Sequence, residues 1–228
     1  MHDVTLYIGE PSFDMAHLAH LELTTPVLEE SVRFFVEYMG MYVTEQRGNS
    51  VYLRGWDDYA HHTLKLTAGP VPAMEHFAYR VSTPEAPQRR VALLEQSGLG
   101  LGWIDGDAGH GPAYRFRTPD GHVGELVWEV EWYQPTPETK PALKNQASRF
   151  PARGCNVRRL DHINIFAADV RSTRIFLQQY LGLKLTECII FDDGSEKGAW
   201  VTSNNKGYEI AVTEDGTGAR GRFHHVCY

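Results

Sequence analysis

The chain has 228 residues, 42% of them hydrophobic, and it carries a formal net charge of −7 with a pI near 5.9. That length is enough for one large domain or two of about 100 residues each, and the composition is ordinary for a folded protein. The acidic balance argues against a nucleic-acid partner, because a phosphate-binding surface is normally a basic patch or stripe.

The N-terminus, Met1 to Asp3, lacks the charged-then-apolar pattern of a signal peptide. No apolar window approaches the roughly 18 residues of a membrane span. Cys155, Cys188 and Cys227 are widely spaced and form no Cys-x-x-Cys pair, a pattern typical of a reducing compartment. We therefore expect a cytoplasmic protein with no membrane partner.

An internal repeat organises the chain, because residues 20–45 align on residues 162–187 without a gap. Each copy has the pattern of a strand, a helix and a second strand. The identical pairs are His20/His162, Phe34/Phe176, Tyr38/Tyr180, Gly40/Gly182, Thr44/Thr186 and Glu45/Glu187.

The first unit begins with a strand at residues 20–23, and Thr25 followed by Pro26 marks the start of a helix that ends at Gly40. Three short runs, separated by polar or glycine-containing turns, then have the pattern of strands. The unit is therefore βαβββ. The three runs are residues 41–45, 50–54 and 63–66.

A second βαβββ unit follows, and a third extends over residues 160–212. Residues 222–228 resemble the opening strand of a fourth unit. The second unit comprises a strand at 76–81, a helix at 84–96 and strands at 101–104, 113–117 and 123–130.

Residues 134–159 contain Pro135, Pro137, Pro141 and Pro151 and no apolar periodicity, and the basic run at 149–159 lies within them. This composition predicts a solvated linker. We predict an α+β fold of paired βαβββ modules in two tandem domains, residues 1–133 and 160–228.

The second predicted domain is incomplete, since its fourth unit stops after one strand. That strand would have nothing to pair against and would leave backbone groups unsatisfied. We therefore expect that the chain is a fragment or that something outside it completes the domain.

Four histidines occupy matched places in the repeat: His20 and His162 in the first strands of units one and three, His76 and His225 in those of units two and four. Neighbouring strands that each direct one imidazole inward predict a pair of nitrogen ligands. Glu125 is placed to add a carboxylate in the first domain. Two histidines and one carboxylate leave coordination positions open for substrate and O₂, as in non-haem Fe(II) oxygenases.

A lone histidine on a strand is more often a core or surface residue than a ligand, but the recurrence favours ligation for His162 and His225. The remaining histidines are interpreted without a metal role, although His224 could line the site. His61 and His62 are placed at the start of an exposed strand, His110 in a glycine-rich loop and His122 in a turn.

Residues 118–122, 160–164 and 221–226 resemble the type I extradiol ring-cleavage dioxygenases of the vicinal oxygen chelate superfamily, most closely the catechol 2,3-dioxygenases. The resemblance extends from about Met15 to the end. It implies an Fe(II) site in the second domain with His162 and His225 as ligands. Its third ligand, a glutamate, is expected beyond Tyr228.

The same resemblance leaves three interpretations of the first-domain triad His20, His76 and Glu125: a second metal site, a relic, or a hydrogen-bonded core cluster. We favour the relic, because the chemistry of the family lies in the other half.

Members of this family commonly place a catalytic histidine on the strand before the two adjacent histidines, where this chain has Tyr208. A phenol with a pKa near 10 donates a hydrogen bond to bound O₂ but is a poor base at neutral pH. Asn164 and Trp200 match substrate-contacting positions. Alternatively, Tyr208 and Trp200 are core residues and Asn164 satisfies a strand end.

The resemblance thus predicts an enzyme that cleaves catechol or a substituted catechol with O₂ at a mononuclear non-haem Fe(II) site, in the degradation of aromatic compounds. We expect a homo-oligomer. Two alternatives are a metal-dependent glyoxalase-like isomerase or epimerase using Zn²⁺, Ni²⁺ or Co²⁺, and a non-catalytic ligand-binding protein like the bleomycin-resistance proteins.

Overall fold

The computed structural model describes residues 13–143, 146 and 152–228. Residues 1–3, and the first part of the basic run at 149–151, lie outside the described residues. Within the described part, no helix is both long and apolar enough to cross a membrane.

The described residues form two sheets, and the first contains eight strands. They are β1 Met15–Thr25, β2 Tyr42–Arg47, β3 Ser50–Arg54, β4 Leu64–Ala68, β5 Ala73–Val81, β6 Gly100–Ile104, β7 Ala113–Arg117 and β8 Val123–Val127. Their spatial order is β2-β3-β4-β1-β5-β8-β7-β6. At the centre β1 pairs antiparallel with β5 and parallel with β4, while β5 pairs parallel with β8. The opening strands of the first two units are therefore neighbours.

The second sheet repeats half of this arrangement. Its strands are β9 His162–Ala167, β10 Lys184–Ile190, β11 Glu196–Thr202, β12 Ile210–Glu214 and β13 Phe223–Cys227, in the order β10-β11-β12-β9-β13. β13 pairs antiparallel with β9. The expectation that this last strand has nothing to pair against is therefore wrong, because the opening strand of unit three provides its partner.

In the residues that the structure describes, three α-helices connect the strands: α1 Leu28–Arg33, α2 Ala86–Gln96 and α3 Val170–Leu181. The carboxylate of Asp169 accepts a hydrogen bond from the backbone N–H of Ser172 at 2.9 Å and caps α3. Gly182 ends that helix at φ 72°, a left-handed conformation that favours glycine. In the first unit the helix begins at Leu28 rather than at Pro26, and a π-helical turn, Phe34–Tyr38, continues it.

The order of these elements confirms the predicted α+β fold of paired βαβββ modules. Most predicted strands lie within two or three residues of the observed ones, and β3 and β7 coincide with the predicted ranges. The domain boundaries stay a prediction, although the two sheets lie on either side of residues 134–159.

Buried contacts join the two sheets. The Phe116 ring on β7 lies 5.9 Å from the Phe176 ring on α3, measured between centroids. Glu209 is buried beside β12, and its carboxylate accepts a hydrogen bond from the backbone N–H of Leu18 on β1 at 3.0 Å. Asp120 accepts from the Thr173 hydroxyl at 3.0 Å. These contacts fix the position of each sheet relative to the other.

Candidate metal centres

His162 and His225 face each other on adjacent strands of the second sheet. In the antiparallel β9–β13 pair, His225 is opposite Asn164 and Cys227 is opposite His162. The two Nε2 atoms lie 3.2 Å apart. This separation matches two ligands of one ion, because metal–nitrogen bonds of about 2.0–2.1 Å hold adjacent ligand atoms about 3 Å apart.

Both imidazoles direct Nδ1 away from this meeting point. The Nδ1 of His162 lies 2.7 Å from Oδ2 of Asp161, and since a carboxylate accepts, Nδ1–H donates and leaves the Nε2 lone pair free. The Nδ1 of His225 lies 2.7 Å from Nδ1 of His224. Burial, with a smaller effect of His224 and His162, lowers the pKa of His225. This lower pKa favours the neutral form of the imidazole, which is the form that binds a metal ion.

Tyr208 and Trp200 lie on the same side of the sheet as His162. The Tyr208 hydroxyl is 3.5 Å from Nε2 of His162, and the Trp200 ring is 6.5 Å from the Tyr208 ring. Tyr208 was expected on a strand but precedes β12, which begins at Ile210. Asn164 accepts a hydrogen bond from the Thr213 hydroxyl at 3.1 Å. The structure thus brings Tyr208 and Trp200 together next to the histidine pair.

The first sheet holds a second histidine pair in the same register. In the β1–β5 pair His76 is opposite Glu22, which occupies the place of Asn164, and the Nε2 atoms of His20 and His76 lie 3.3 Å apart. Glu125 on β8 directs Oε2 to within 3.5 Å of His76 Nε2 and 3.9 Å of His20 Nε2. All three side chains are buried.

Burial dominates the electrostatics of this cluster. It lowers the pKa of His20 well below the usual range, and the neighbouring histidines, His62 first among them, lower it further. The guanidinium of Arg115 donates to Oε1 of Glu125 at 2.7 Å. The imidazole of His20 is therefore expected to be neutral, next to the ion pair of Arg115 and Glu125.

The prediction for His61 and His62 is wrong, because both side chains are buried rather than exposed. The His62 ring lies 4.8 Å from the His20 ring, the His110 ring stacks on His20 at 5.2 Å, and the His62 and His110 rings are 6.5 Å apart. His122 is also buried, and its hydrogen bonds to Thr118 and to the backbone carbonyl of Arg222, just before β13, give it a structural role.

Strand pairing explains the position of His62. Leu64 on β4 pairs with Leu21, and Ile210 on β12 pairs with Ile163, one residue after His20 and His162 respectively. His62 and Tyr208, each two residues earlier, are therefore equivalent. The sequence contained this signal, but only if the repeat is extended beyond residues 45 and 187 to β4 and β12.

Among the described residues, two groups have ligand atoms close enough for one ion: His20, His76 and Glu125, and Asp161, His162 and Cys227. In each group the ligand atoms lie within 4.8 Å of one another. Sequence analysis gave Cys227 no role, and pairing places it opposite His162.

The chain is similar in sequence to known ring-cleavage dioxygenases. The chain is 49% identical over 219 residues to a metapyrocatechase of Geobacillus stearothermophilus, with 96% of this chain and 67% of that protein aligned. It is 33% identical to a manganese-dependent 2,3-dihydroxybiphenyl 1,2-dioxygenase of Geobacillus genomosp. 3, with 94% and 69% aligned.

A solved variant of homoprotocatechuate 2,3-dioxygenase from Brevibacterium fuscum superposes with a TM-score of 0.78 at 30% identity. That superposition covers 95% of this chain, which spans 57% of the length of that enzyme. Residues 17–126 match the Glyoxalase/Bleomycin resistance protein/Dioxygenase superfamily. The chain therefore belongs to this superfamily, also called vicinal oxygen chelate, and within it to the relatives of the extradiol ring-cleavage dioxygenases.

Proposed function

We propose that this protein opens a catechol ring next to its two hydroxyl groups, using O₂ and a divalent metal held by His162 and His225. The observation that supports this proposal is the 3.2 Å separation of the two Nε2 atoms, with Nδ1 of His162 committed to Asp161. Two convergent nitrogen lone pairs on neighbouring strands suit a metal that keeps other positions open for small ligands. The third ligand, the glutamate expected beyond Tyr228, stays a prediction.

Each neighbouring side chain has a distinct part in this reaction. The bound metal supplies one centre on which the diol and O₂ meet. Asp161 keeps the Nδ1 proton on His162, so that Nε2 remains available as a ligand. Tyr208 places its hydroxyl 3.5 Å from His162 Nε2, from where it would donate a hydrogen bond to a substrate oxygen. Trp200 adds an apolar surface for the substrate ring.

We propose Fe(II) as the ion and catechol or a substituted catechol as the substrate. Two histidines and one carboxylate are typical of non-haem Fe(II) oxygenases, whereas one relative is named for manganese. The 49% identical relative is a metapyrocatechase, which supports the substrate class. A cytoplasmic homo-oligomer that acts in the degradation of aromatic compounds completes the proposal.

The test uses the full-length protein purified without oxygen. Iron and manganese are measured by elemental analysis, and O₂ uptake and the yellow ring-opened product are followed after addition of catechol. We expect His162→Ala and His225→Ala each to abolish product formation. His17→Gln, which changes an imidazole outside the pair, keeps the activity. Neither metal nor yellow product in the wild-type protein would refute the proposal, as would full activity in either alanine variant.

A further inference from the structure

We propose that the first sheet holds a second divalent transition-metal ion with a structural role, bound by Nε2 of His20, Nε2 of His76 and Oε2 of Glu125. This inference does not depend on the reaction at the other histidine pair. It replaces the interpretation of the triad as a relic.

The first argument is that the two sheets build their histidine pairs in the same way. His76 lies opposite the residue two places after His20, as His225 lies opposite the residue two places after His162. The Nε2 atoms are 3.3 Å apart in the first sheet and 3.2 Å apart in the second. A geometry that suits metal in one sheet suits it in the other.

The second argument is an unpartnered carboxylate oxygen. Within the described part of the chain, Oε2 of Glu125 has no hydrogen-bond partner, and the residue is only 1% exposed. Arg115 satisfies Oε1 alone. Burying a charged oxygen without a partner is costly, so an oxygen directed at two imidazole nitrogens calls for a cation.

The third argument concerns the proton on His76. Its Nδ1 lies 3.3 Å from Oε2 of Glu22, and the Thr67 hydroxyl donates to the other oxygen of that carboxylate at 2.5 Å. Nδ1–H therefore donates to Glu22, and Nε2 lies 3.5 Å from Glu125 Oε2. A metal ion between these two atoms would bind both. A carboxylate behind a ligating histidine is the usual support of a metal site.

The distances fit one ion. Bonds of about 2.1 Å at angles of about 90–110° separate ligand atoms by about 3.0–3.4 Å. The two separations at His76 are 3.3 and 3.5 Å, and the third, between His20 and Glu125, is 3.9 Å. A small movement of one side chain closes the set.

The surroundings make the site structural rather than catalytic. The cavity beside His20 has a volume of about 10 Å³ and is lined by His62, His110 and Trp132, among others. That space admits no more than about one water molecule. A catechol cannot enter, and the ion would join β1, β5 and β8 at the centre of the sheet.

The experiment uses the double variant His162→Ala/His225→Ala. The histidine pair of the second sheet is then absent, so that metal binding is measured at the first sheet. The apoprotein, prepared by dialysis against a chelator, is titrated with Zn²⁺ in competition with a chromogenic chelator, and the melting temperature is measured with and without Zn²⁺. We expect one Zn²⁺ per chain and a higher melting temperature in its presence.

Two substitutions in this background test the ligand set. Glu125→Gln removes a ligand and should weaken Zn²⁺ binding by more than about 100-fold, whereas Glu22→Gln removes only the support of His76 and should cost about 10–100-fold. Glu214→Gln, which changes an exposed carboxylate on the second sheet, is the matched control and should bind as the background does.

Absence of Zn²⁺ binding in the double variant would overturn the proposal, and so would unchanged affinity in the Glu125→Gln protein. If Glu125→Gln does not fold, Glu22→Gln decides, since unchanged affinity there contradicts the proposal. No catechol is present, so loss of ring cleavage does not affect the result.

Discussion

Replacement of Glu209 by glutamine should destabilise the protein by loosening the contact between the two sheets. The buried carboxylate accepts hydrogen bonds from the backbone N–H of Leu18 at 3.0 Å and from the side chain of Asn204 at 2.9 Å through Oε1. Oε2 accepts from the backbone N–H of Ser203 at 2.9 Å and from its hydroxyl at 2.6 Å. Leu18 belongs to the first sheet, as does Tyr79, whose hydroxyl donates to Oε2 at 3.5 Å, whereas Ser203 and Asn204 belong to the β11–β12 connection.

The magnitude follows from the donors that glutamine leaves unsatisfied. Its oxygen retains the Leu18 and Asn204 hydrogen bonds, but its amide group faces the backbone N–H of Ser203. A buried donor without a partner costs about 1–3 kcal/mol, and the remaining hydrogen bonds weaken because the acceptor is no longer charged. We expect a loss of about 3 kcal/mol, equivalent to about 6–12 °C in melting temperature for a chain of this size.

Thermal unfolding followed by circular dichroism measures this loss. Glu214→Gln is the matched control, because Glu214 is exposed and pairs with Lys197 at the surface, so its change should stay within about 1 kcal/mol. Equal melting temperatures for the Glu209 and Glu214 variants would show that the buried carboxylate does not join the sheets.

Three further results are expected. Glu196→Gln removes the negative charge that pairs with the buried guanidinium of Arg174 and replaces one of its two 2.7 Å acceptor oxygens by an amide group, so it should cost about 3–5 kcal/mol in urea unfolding. Burial alone would raise the pKa of Asp107, but its hydrogen bond with Lys65 outweighs this, aided by smaller effects of its neighbours, and lowers the pKa to about 2. The ionised Asp107 carboxylate therefore contributes about 1–2 kcal/mol to the free energy of unfolding after solvent screening. This contribution is present above the unfolded pKa near 3.8 and is lost as the pH falls through about 2. Asp107→Asn should accordingly lower stability at pH 7 and change it little at pH 2, as measured by unfolding at both pH values. Tyr208→Phe removes one hydrogen-bond donor and should lower kcat for catechol by about tenfold while KM changes less.

Much of the fold could be predicted from the sequence because the sequence contains an internal repeat. Two copies with the same spacing fix the order of elements, and glycines at equivalent helix ends, Gly40 and Gly182, mark where each helix stops. The π-helical turn at Phe34–Tyr38 had no such signal, because its residues keep ordinary helical periodicity. The partner of β13 was missed because pairing between units is a property of the tertiary fold, which no local pattern records.

The histidines show the same limit at the level of side chains. His20, His76, His162 and His225 were selected from their places in the opening strands, where alternation determines which face a residue occupies. His62 was assigned to the surface, because it precedes β4 in a stretch without alternation. Only the register of β4 against β1 brings its ring next to His20.

The equivalence of His62 and Tyr208 connects the two metal proposals. Next to one histidine pair the chain has a buried imidazole in a closed cavity, and next to the other it has a phenol whose hydroxyl reaches His162 Nε2. A second imidazole beside a metal adds a ligand or a base, whereas a phenol near pKa 10 adds only a hydrogen-bond donor. Among the described residues, the first sheet thus offers nitrogen ligands for the proposed ion, whereas the cavity of about 10 Å³ beside His20 is too small for a substrate. A structural ion requires only ligands, whereas a catalytic ion also requires space for a substrate beside it. The two proposals therefore assign different roles to metals bound at equivalent places of the repeated βαβββ fold.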